Sequence, residues 1–346
     1  MARRGRIAGA ALVGLAAVAL AVPWPPSVVE SVFSGGVYPA WQRAATSATN
    51  LVPFAIFDPV ILGVLGLVFV AAMRAWRRGR SLPGRVAGSI GAVVIVTAGV
   101  YLWFLLSWGL NYQREPLAKR LGMDRGRATP EALARFAEDT IRELNRLRPI
   151  AEGEPWPDRD AWPVVMREAF TAALRDVRAP ADVVAGRPKR TILQPYLRWS
   201  GVDGVTNPFV PEVVVNADLL PMEVPFTLAH EWGHLAGLAH EAEASYFGWR
   251  ACLHGTDQTR YSARLWVVAH ALAAMPRADQ VRLIAALEPG PREDLRAIAL
   301  RTSRSVPVVR RMSWATYDRY LKTNRVAEGI AAYDAALILI LAELPD

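Results

Sequence analysis

The residues best suited to chemistry lie in one short segment, which reads TLAHEWGHLAGLAHE and spans residues 227–241. Its core is the pattern HExxH, formed by His230, Glu231 and His234. Because side chains four residues apart on a helix lie one above the other, the two imidazoles can bind one zinc ion from the same face. Glu231 can then act as the general base on a zinc-bound water, whose pKa the metal lowers toward neutrality. The spacing predicts the water-activating site of a zinc metallopeptidase.

The surroundings of the motif matter, because HExxH also occurs by chance in helices that bind no metal. The preceding residues 225–229 suit entry into a buried helix, and two of the five histidines in the chain fall within the pattern. The alternative is an ordinary helix with two incidental histidines and an ion-paired glutamate. The context favours the metal site.

A third protein ligand is expected, since catalytic zinc sites usually have three and leave one position open. The candidates that follow the motif are His240, Glu241 and Glu243. His240 completes HExxHxxGxxH, the metzincin pattern, in which Gly237 lets the chain leave the helix and bring a third imidazole back to the metal. Glu241 and Glu243 instead offer carboxylates at the start of a second helix. The residues alone leave these three open.

Three apolar runs in the first third of the chain indicate a membrane anchor. They cover residues of about 7–23, 52–73 and 86–108. The third is long enough to cross a bilayer at about 1.5 Å per residue. The first is interpreted as a transmembrane helix, with a cleaved signal peptide as the alternative. We therefore predict an anchor over residues 1–112, with three spans, and a globular domain over residues 113–346.

The positive charge of the chain is concentrated beside these apolar runs. The formal net charge is +8, and two clusters without acidic residues account for it: Arg3, Arg4 and Arg6, then Arg74, Arg77, Arg78, Arg80 and Arg85. Because arginines flanking spans stay on the cytoplasmic side, the chain is predicted to be a multi-pass protein of the cytoplasmic (inner) membrane. Its globular domain would then be extracytoplasmic. The rest of the chain is about neutral, which argues against nucleic-acid binding.

The remaining patterns place the motif in a fold that is mainly α with a small β-sheet. Trp103, Trp108 and Tyr112 are interpreted as an interfacial aromatic belt at the end of the third run. Short strands are expected between residues 187 and 215, at 191–193 and 213–215. Residues 212–216 fit an edge strand that binds substrate or an ordinary core strand equally well. Helices are predicted at 129–145, 160–177, 227–238, 241–253, 261–275, 277–287, 292–301, 309–321 and 326–344, the last one buried in the core.

Beyond the motif, the chain resembles the bacterial membrane proteins grouped as domain of unknown function 3810, whose members look like zincins. The resemblance covers most of the chain and rests on dispersed residues. These are Trp108, Gly109, Leu110, Asn111, Tyr112, Asn207, Pro208, Phe209, residues 225–234, Gly237, Glu241, Glu243, Ala244, Tyr317, Tyr320, Leu321, Lys322, Gly329 and Tyr333.

The resemblance implies a zincin-like fold and a second helix of the form ExEAN, similar to the gluzincin signature. On that basis Glu241 becomes the expected third ligand, and His240 is not required. Ser245 stands where the family pattern has Asn, so the polar partner of a ligand histidine is expected to differ. Candidates for stabilising an oxyanion or holding substrate are Tyr317, Tyr320, Lys322 and Tyr333.

Together these patterns predict a membrane-anchored zinc metallopeptidase with the lipid bilayer and a protein or peptide substrate as its partners. A catalytically inactive zincin-fold scaffold or binding protein is the alternative, because it would share every metal ligand. An intramembrane protease is disfavoured, since Glu241, Glu243 and Arg250 follow the motif and no apolar run of spanning length surrounds His230. The sequence defines neither the substrate nor an oligomeric state.

Overall fold

The computed structural model describes residues 2–79, 81–324 and 335–344, which are mainly helical with a small three-stranded sheet. The helices are α1 (Ala2–Ala21), α2 (Pro26–Val28), α3 (Tyr38–Thr49), α4 (Phe57–Arg78), α5 (Leu82–Ser107), α6 (Leu117–Leu121), α7 (Pro130–Glu152), α8 (Trp162–Val165), α9 (Arg167–Asp176), α10 (Gln194–Ser200), α11 (Val224–Leu235), α12 (Glu241–Leu253), α13 (Asp257–Ala273), α14 (Arg277–Ala286), α15 (Pro289–Ser303), α16 (Pro307–Thr323) and α17 (Ala335–Glu343). A π-helical stretch, Val29–Val37, joins α2 to α3.

Two of the N-terminal helices, α4 and α5, are long and apolar enough to cross a membrane. A third candidate is a bent pair of helical segments, Ile7–Ala21 and Pro26–Thr49, which meet at 109° and are long and apolar enough only when they are counted together. The apolar helices therefore indicate association with a membrane through two or three spans. The predicted run 86–108 falls almost entirely within α5, whereas the run predicted at 52–73 is shifted to Phe57–Arg78.

The shift of α4 arises because the residues before it are bonded to the sheet. Phe54 forms a parallel β-bridge with Arg190. Glu212 then accepts hydrogen bonds from the backbone N–H groups of Ile56 at 2.9 Å and Phe57 at 2.7 Å. These N–H groups belong to the helix start, where no carbonyl of the same helix can satisfy them. The buried Glu212 carboxylate thus fixes the first turn of α4 against the sheet.

The sheet consists of β1 (Pro188–Lys189), β2 (Gly204–Asn207) and β3 (Glu212–Val215) in the order β1-β3-β2. β3 is parallel to β1 and antiparallel to β2. It is buried along its whole length, so the edge-strand interpretation of residues 212–216 is wrong and the core-strand interpretation is correct. Among the described strands β2 is an outer one.

The strand predicted at 191–193 is also wrong, because Asp58 accepts hydrogen bonds from the Thr191 hydroxyl and the Ile192 N–H in a turn before α10.

The helices after residue 129 enclose the main hydrophobic core around α11. Thr129 caps α7 by accepting a hydrogen bond from Ala132 N at 3.2 Å, and α7 continues to Glu152, beyond the predicted end at residue 145. The helix predicted at 160–177 is interrupted at Met166, which separates α8 from α9. The apolar side chains of α17 are buried, as expected for a core helix; residues 325–334 lie outside the described part of the chain.

The anchoring role of Glu212 can be tested by the substitution Glu212→Gln. The amide keeps one acceptor oxygen for two backbone N–H groups, so one buried donor loses its partner at a cost of about 1–3 kcal/mol. Thermal or denaturant unfolding of the full chain in detergent should show this loss of stability. Glu115→Gln, which removes one member of the surface pair with Lys119, should change stability by less than about 0.5 kcal/mol. Equal effects of the two substitutions would contradict the anchoring role.

Candidate metal centre

The HExxH motif lies on α11, whose two sides have different environments. Trp232 faces the core, is fully buried and donates from Nε1 to the Gly186 carbonyl at 2.8 Å. His230 and His234 share the other side, with ring centroids 4.9 Å apart. After α11 the chain reverses through Gly237, whose φ of +79° lies in the left-handed region that glycine adopts without strain. This turn starts α12 at Glu241, beside the two imidazoles.

Three side chains converge at this point. One ligand atom from each of His230, His234 and Glu241 lies within 4.8 Å of the others. Glu241 Oε2 is 3.1 Å from His230 Nε2 and 3.6 Å from His234 Nε2. The structure therefore brings together the two motif histidines and one of the three candidates for a third ligand.

Hydrogen bonds on the far side of each imidazole fix its orientation. His234 Nδ1 lies 2.8 Å from the Leu238 carbonyl, which can only accept, so Nδ1 carries a proton and Nε2 is directed toward Glu241. His230 Nδ1 lies 3.1 Å from Ser245 Oγ. Ser245 thus contacts a histidine of the cluster, as its position in the ExEAN-like segment implied.

The cluster fits a cation because its inward-facing atoms are acceptors. Glu241 Oε2 is buried and receives no hydrogen bond from any described residue. When both rings are neutral and carry their proton on Nδ1, two imidazole lone pairs and a carboxylate oxygen face one another within 4.8 Å. Two neutral imidazoles and one carboxylate are ligands that zinc accepts in catalytic sites, so these residues fit a zinc ion.

The electrostatics of the cluster also favour positive charge at its centre. Burial lowers the pKa of His234, but the Glu241 carboxylate outweighs this effect and raises the pKa to about 9. Burial raises the pKa of Glu241, yet the positive charge of His234 and the closeness of the His230 imidazole hold that pKa well below its usual range. A buried carboxylate that stays ionised between two histidines attracts either a proton or a metal ion.

Glu231 lies beside the cluster and is bonded to β2. Its Oε2 accepts a hydrogen bond from Thr206 Oγ1 at 2.7 Å. Burial raises the pKa of Glu231, and the nearby charges of His230 and His234 offset this only in part. The sequence did not indicate that Thr206 contacts Glu231. The only hint was that Thr206 precedes Asn207-Pro208-Phe209, a segment that resembles the family pattern.

The other two candidate ligands face elsewhere. The His240 ring packs edge-on against Tyr112, with centroids 5.9 Å apart. Glu243 Oε1 accepts a hydrogen bond from the Leu117 backbone N–H at 2.6 Å, which joins α12 to α6. Neither side chain belongs to the group of converging ligand atoms.

The C-terminal tyrosines occupy positions around Glu241. The Tyr317 hydroxyl donates a hydrogen bond to Glu241 Oε1, and its ring stacks on that of Tyr320. Lys322 pairs with Asp318 at 2.7 Å, and Tyr333 lies outside the described residues. Tyr317 therefore orients the carboxylate that faces the two histidines.

Groups from the membrane-proximal segments donate hydrogen bonds to carbonyls at the end of α11 and in the turn that follows it. Trp108 Nε1 donates to the His234 carbonyl and the Tyr38 hydroxyl to the Leu235 carbonyl, both at 2.9 Å. Arg114 donates to the Gly237 carbonyl at 3.0 Å. Trp108 and Tyr112 are both buried, so their assignment to an interfacial belt is wrong, whereas Trp103 is exposed. Helix ends need such partners because their last carbonyls have none within the helix.

Two glycines allow α11 and α12 to pack closely enough for this geometry. A Cβ at Gly233 would lie 2.9 Å from Ala244 Cα, and one at Gly248 would lie 3.0 Å from the His230 backbone nitrogen. Real Cβ atoms essentially never lie under 3.0 Å from another heavy atom and rarely lie as close as 3.0 Å, so a larger residue at either position would push the two helices apart. Glu241 would then move away from His230 and His234.

A cavity of about 500 Å³ opens beside His230 and Glu231. Its walls are mainly apolar, and β2 contributes Gly204 at one side. The larger apolar residues of the lining are Phe226, Leu265, Trp266, Leu295, Ile298 and Trp314. A mainly apolar cavity next to a few polar groups is typical of a ligand-binding site.

The turn between the two helices can be tested with a matched pair of glycine substitutions. Gly237→Ala and Gly122→Ala both place a Cβ in the left-handed region, at φ of +79° and +69°, which costs about 1–2 kcal/mol. At Gly237 the new atom would also lie 2.9 Å from the Arg114 guanidinium and 3.0 Å from Asn111 Oδ1, whereas at Gly122 it meets nothing within 4 Å. Thermal unfolding of the full chain should show a larger loss of stability for Gly237→Ala. A loss no greater than that of Gly122→Ala would contradict the crowding described for this turn.

Comparison with known proteins agrees with the sequence pattern. A family model described as "protein of unknown function (DUF3810)" matches residues 33–341, which is most of the chain. Searches of curated proteins and of solved structures found no match. The matched range includes both apolar helices α4 and α5 and the whole His230, His234 and Glu241 cluster. The chain therefore belongs to the DUF3810 family.

Proposed function

We propose that this protein is a membrane-anchored zinc metallopeptidase with a zincin-like catalytic domain. The observation that carries the proposal is the convergence of His230 Nε2, His234 Nε2 and Glu241 Oε2, of which the buried Oε2 receives no hydrogen bond from any described residue. Glu231, the expected general base, lies on the same helix and lines the adjacent cavity. The DUF3810 family has no assigned function, so the proposal depends on this geometry.

The proposed ligands are His230, His234 and Glu241. A zinc ion held by these residues would supply Lewis acidity, which would make a nearby water more acidic and polarise a substrate carbonyl. Ser245 and the Leu238 carbonyl hold the two rings with Nε2 directed inward. Tyr317 holds the other oxygen of Glu241, which leaves Oε2 for the metal. Such outer contacts orient the ligands and raise their basicity.

Glu231 serves as the general base in this proposal. Burial raises its pKa, so its carboxylate is a stronger base than that of an exposed glutamate. Thr206 restrains Oε2 through a hydrogen bond of 2.7 Å. Glu231, which lies on α11 and lines the cavity, takes a proton from the water that attacks the substrate carbonyl. It then delivers this proton to the amine nitrogen as the C–N bond breaks.

The substrate is proposed to be a protein or peptide bound in extended form along β2. β2 has one strand partner, β3, in the described sheet, and it lies beside Glu231 through Thr206. Backbone pairing with an outer strand gives affinity for any extended peptide, while the apolar cavity selects side chains. The sequence left this role open for residues 212–216, and we propose residues 204–207 instead because β3 is buried at the centre of the sheet.

The membrane topology we propose has three spans, with the bent pair α1 and α2–α3 counted as one of them. The arginine clusters at residues 3–6 and 74–85 support a cytoplasmic location for both flanks. The catalytic domain is then extracytoplasmic, in the cytoplasmic (inner) membrane of the cell.

The role of the base is tested by Glu231→Gln, which keeps the size of the side chain but removes its basicity. The purified variant should retain about one zinc per chain and lose hydrolysis of a peptide library by about 10²–10⁴-fold. Metal analysis and cleavage assays on the same preparation measure the two properties. Retained activity would overturn the mechanism. Stoichiometric zinc without cleavage by the unmodified protein would favour the scaffold alternative.

The ligand set is tested by comparing Glu241→Ala with His240→Ala. The first substitution removes the carboxylate that lies 3.1 Å from His230 Nε2, so zinc should be lost or bound far more weakly. The second removes a ring that packs on Tyr112, so the zinc content should stay unchanged. Competition with a chelator gives the affinities, and unfolding curves check that both variants fold. Zinc lost from the His240 variant and kept by the Glu241 variant would refute this ligand set.

A further inference from the structure

Five large apolar side chains are exposed around the start of α4 and on α10. They are Leu51, Phe54, Ile192, Tyr196 and Trp199, together called the α10 face, and each exposes between 43% and 82% of its surface. Single exposed apolar residues are common on proteins, but a contiguous group of this size marks an interaction site. The metal cluster and its cavity involve none of these five side chains.

The α10 face is held rigidly against the beginning of α4. Phe54 forms a β-bridge with Arg190, two residues before Ile192. Asp58, in the first turn of α4, accepts a hydrogen bond from the Ile192 backbone N–H at 2.9 Å. The segment before α4 and the segment before α10 are therefore neighbours, and their exposed side chains belong to one surface.

α10 itself has one buried and one exposed side. Leu197 is buried and packs with Ala55 and Val214 in a small cluster behind the helix. Tyr196 and Trp199 are exposed. The helix therefore presents two aromatic side chains to its surroundings while its aliphatic residue fixes it to the sheet.

The α10 face continues the lipid-facing surface of α4. None of the apolar stretch of α4 is buried inside the protein, and Leu62 and Leu65 are among its exposed residues. Leu51, Phe54 and Ile192 lie at the end of α4 where the sheet begins. A membrane that surrounds α4 therefore reaches its boundary at the level of the α10 face.

A second contact places the neighbouring helix α16 at the same boundary. The Tyr320 ring lies 6.0 Å from that of Phe104, close to the C-terminal end of α5. Nearer the N-terminus of α16, Ser313 Oγ is 2.8 Å from the Tyr196 hydroxyl of α10. α16 thus extends from the end of α5 to the α10 face, and it exposes Met312 beside it.

The composition of this surface matches the interfacial layer of a bilayer. Tryptophan and tyrosine prefer that layer, because their rings are apolar and their N–H or O–H groups remain hydrated. Exposed arginines in the same region suit lipid phosphates; they are Arg190, Arg310 and Arg311. We propose that the α10 face lies in the interfacial layer of the lipid bilayer and holds the metal-bearing domain against the membrane.

The test measures the depth of single labels on the full-length protein in phosphatidylcholine–phosphatidylglycerol vesicles. An environment-sensitive fluorophore is attached to Ile192→Cys or Trp199→Cys, and lipids with a nitroxide near the headgroup serve as quencher. Both labels should show blue-shifted emission and lose fluorescence as the nitroxide lipid is increased. Two positions are used so that a folding defect in one variant does not decide the result.

Labels at two further positions calibrate the depth measurement. Leu65→Cys, on the exposed side of α4, should be quenched by nitroxides placed deeper in the acyl chains. Val281→Cys, on α14, is as exposed as the face residues at 57% and should not be quenched. Native Cys252 is fully buried, so the unsubstituted chain gives the labelling background.

The proposal is overturned if the labels at 192 and 199 resemble the label at 281 while the label at 65 is quenched. It is also overturned if the two labels are shielded from aqueous iodide but insensitive to nitroxide lipids, since a protein partner would then cover the face. Neither readout requires zinc or hydrolysis, so the result is independent of the proposed peptidase activity.

Discussion

The close contact between α11 and α12 is the constraint on which the rest of the site depends. Gly233 and Gly248 lie where the two backbones meet, and no side chain fits between them without displacing the helices. With the helices at this distance, Glu241 at the start of α12 faces His230 and His234 on α11. A shift of about 1 Å would break a ligand set of this kind, since metal ligands must hold their distances to within about 0.2 Å.

This contact is supported from the membrane side of the molecule. The carbonyls at the end of α11 and in the following turn receive hydrogen bonds from Tyr38, Trp108 and Arg114. Arg114 is buried and also forms a two-point ion pair with Glu30 in the π-helical stretch. A carbonyl at a helix end that is buried without a donor would cost free energy, so these polar contacts and the helix end stabilise one another. The helix that carries His230 and His234 is therefore connected to the residues that directly follow α5.

Some features of the molecule follow from local patterns alone. The HExxH spacing places two histidines on one side of any helix that forms there, and Gly237 marks the end of that helix. The apolar stretches of α4 and α5 are recognisable because a spanning helix needs about 20 consecutive apolar residues whatever surrounds it. The predominance of helix after residue 224 follows from apolar periodicity in the same way. Aromatic residues next to an apolar run were misjudged, because Trp108 and Tyr112 have the composition of an interfacial belt yet are buried against α11.

By itself, the sequence determined which groups could hold a metal: His230 and His234, together with one of His240, Glu241 or Glu243. The resemblance to a family, and not the spacing, favoured Glu241. Only the tertiary structure decided which side chain faces the histidines, since that depends on how α12 packs across α11 after the turn at Gly237. The contacts of Thr206, Ser245 and Tyr317 were likewise decided in three dimensions. Their partners lie up to 76 residues away along the chain, a separation over which local periodicity carries no information.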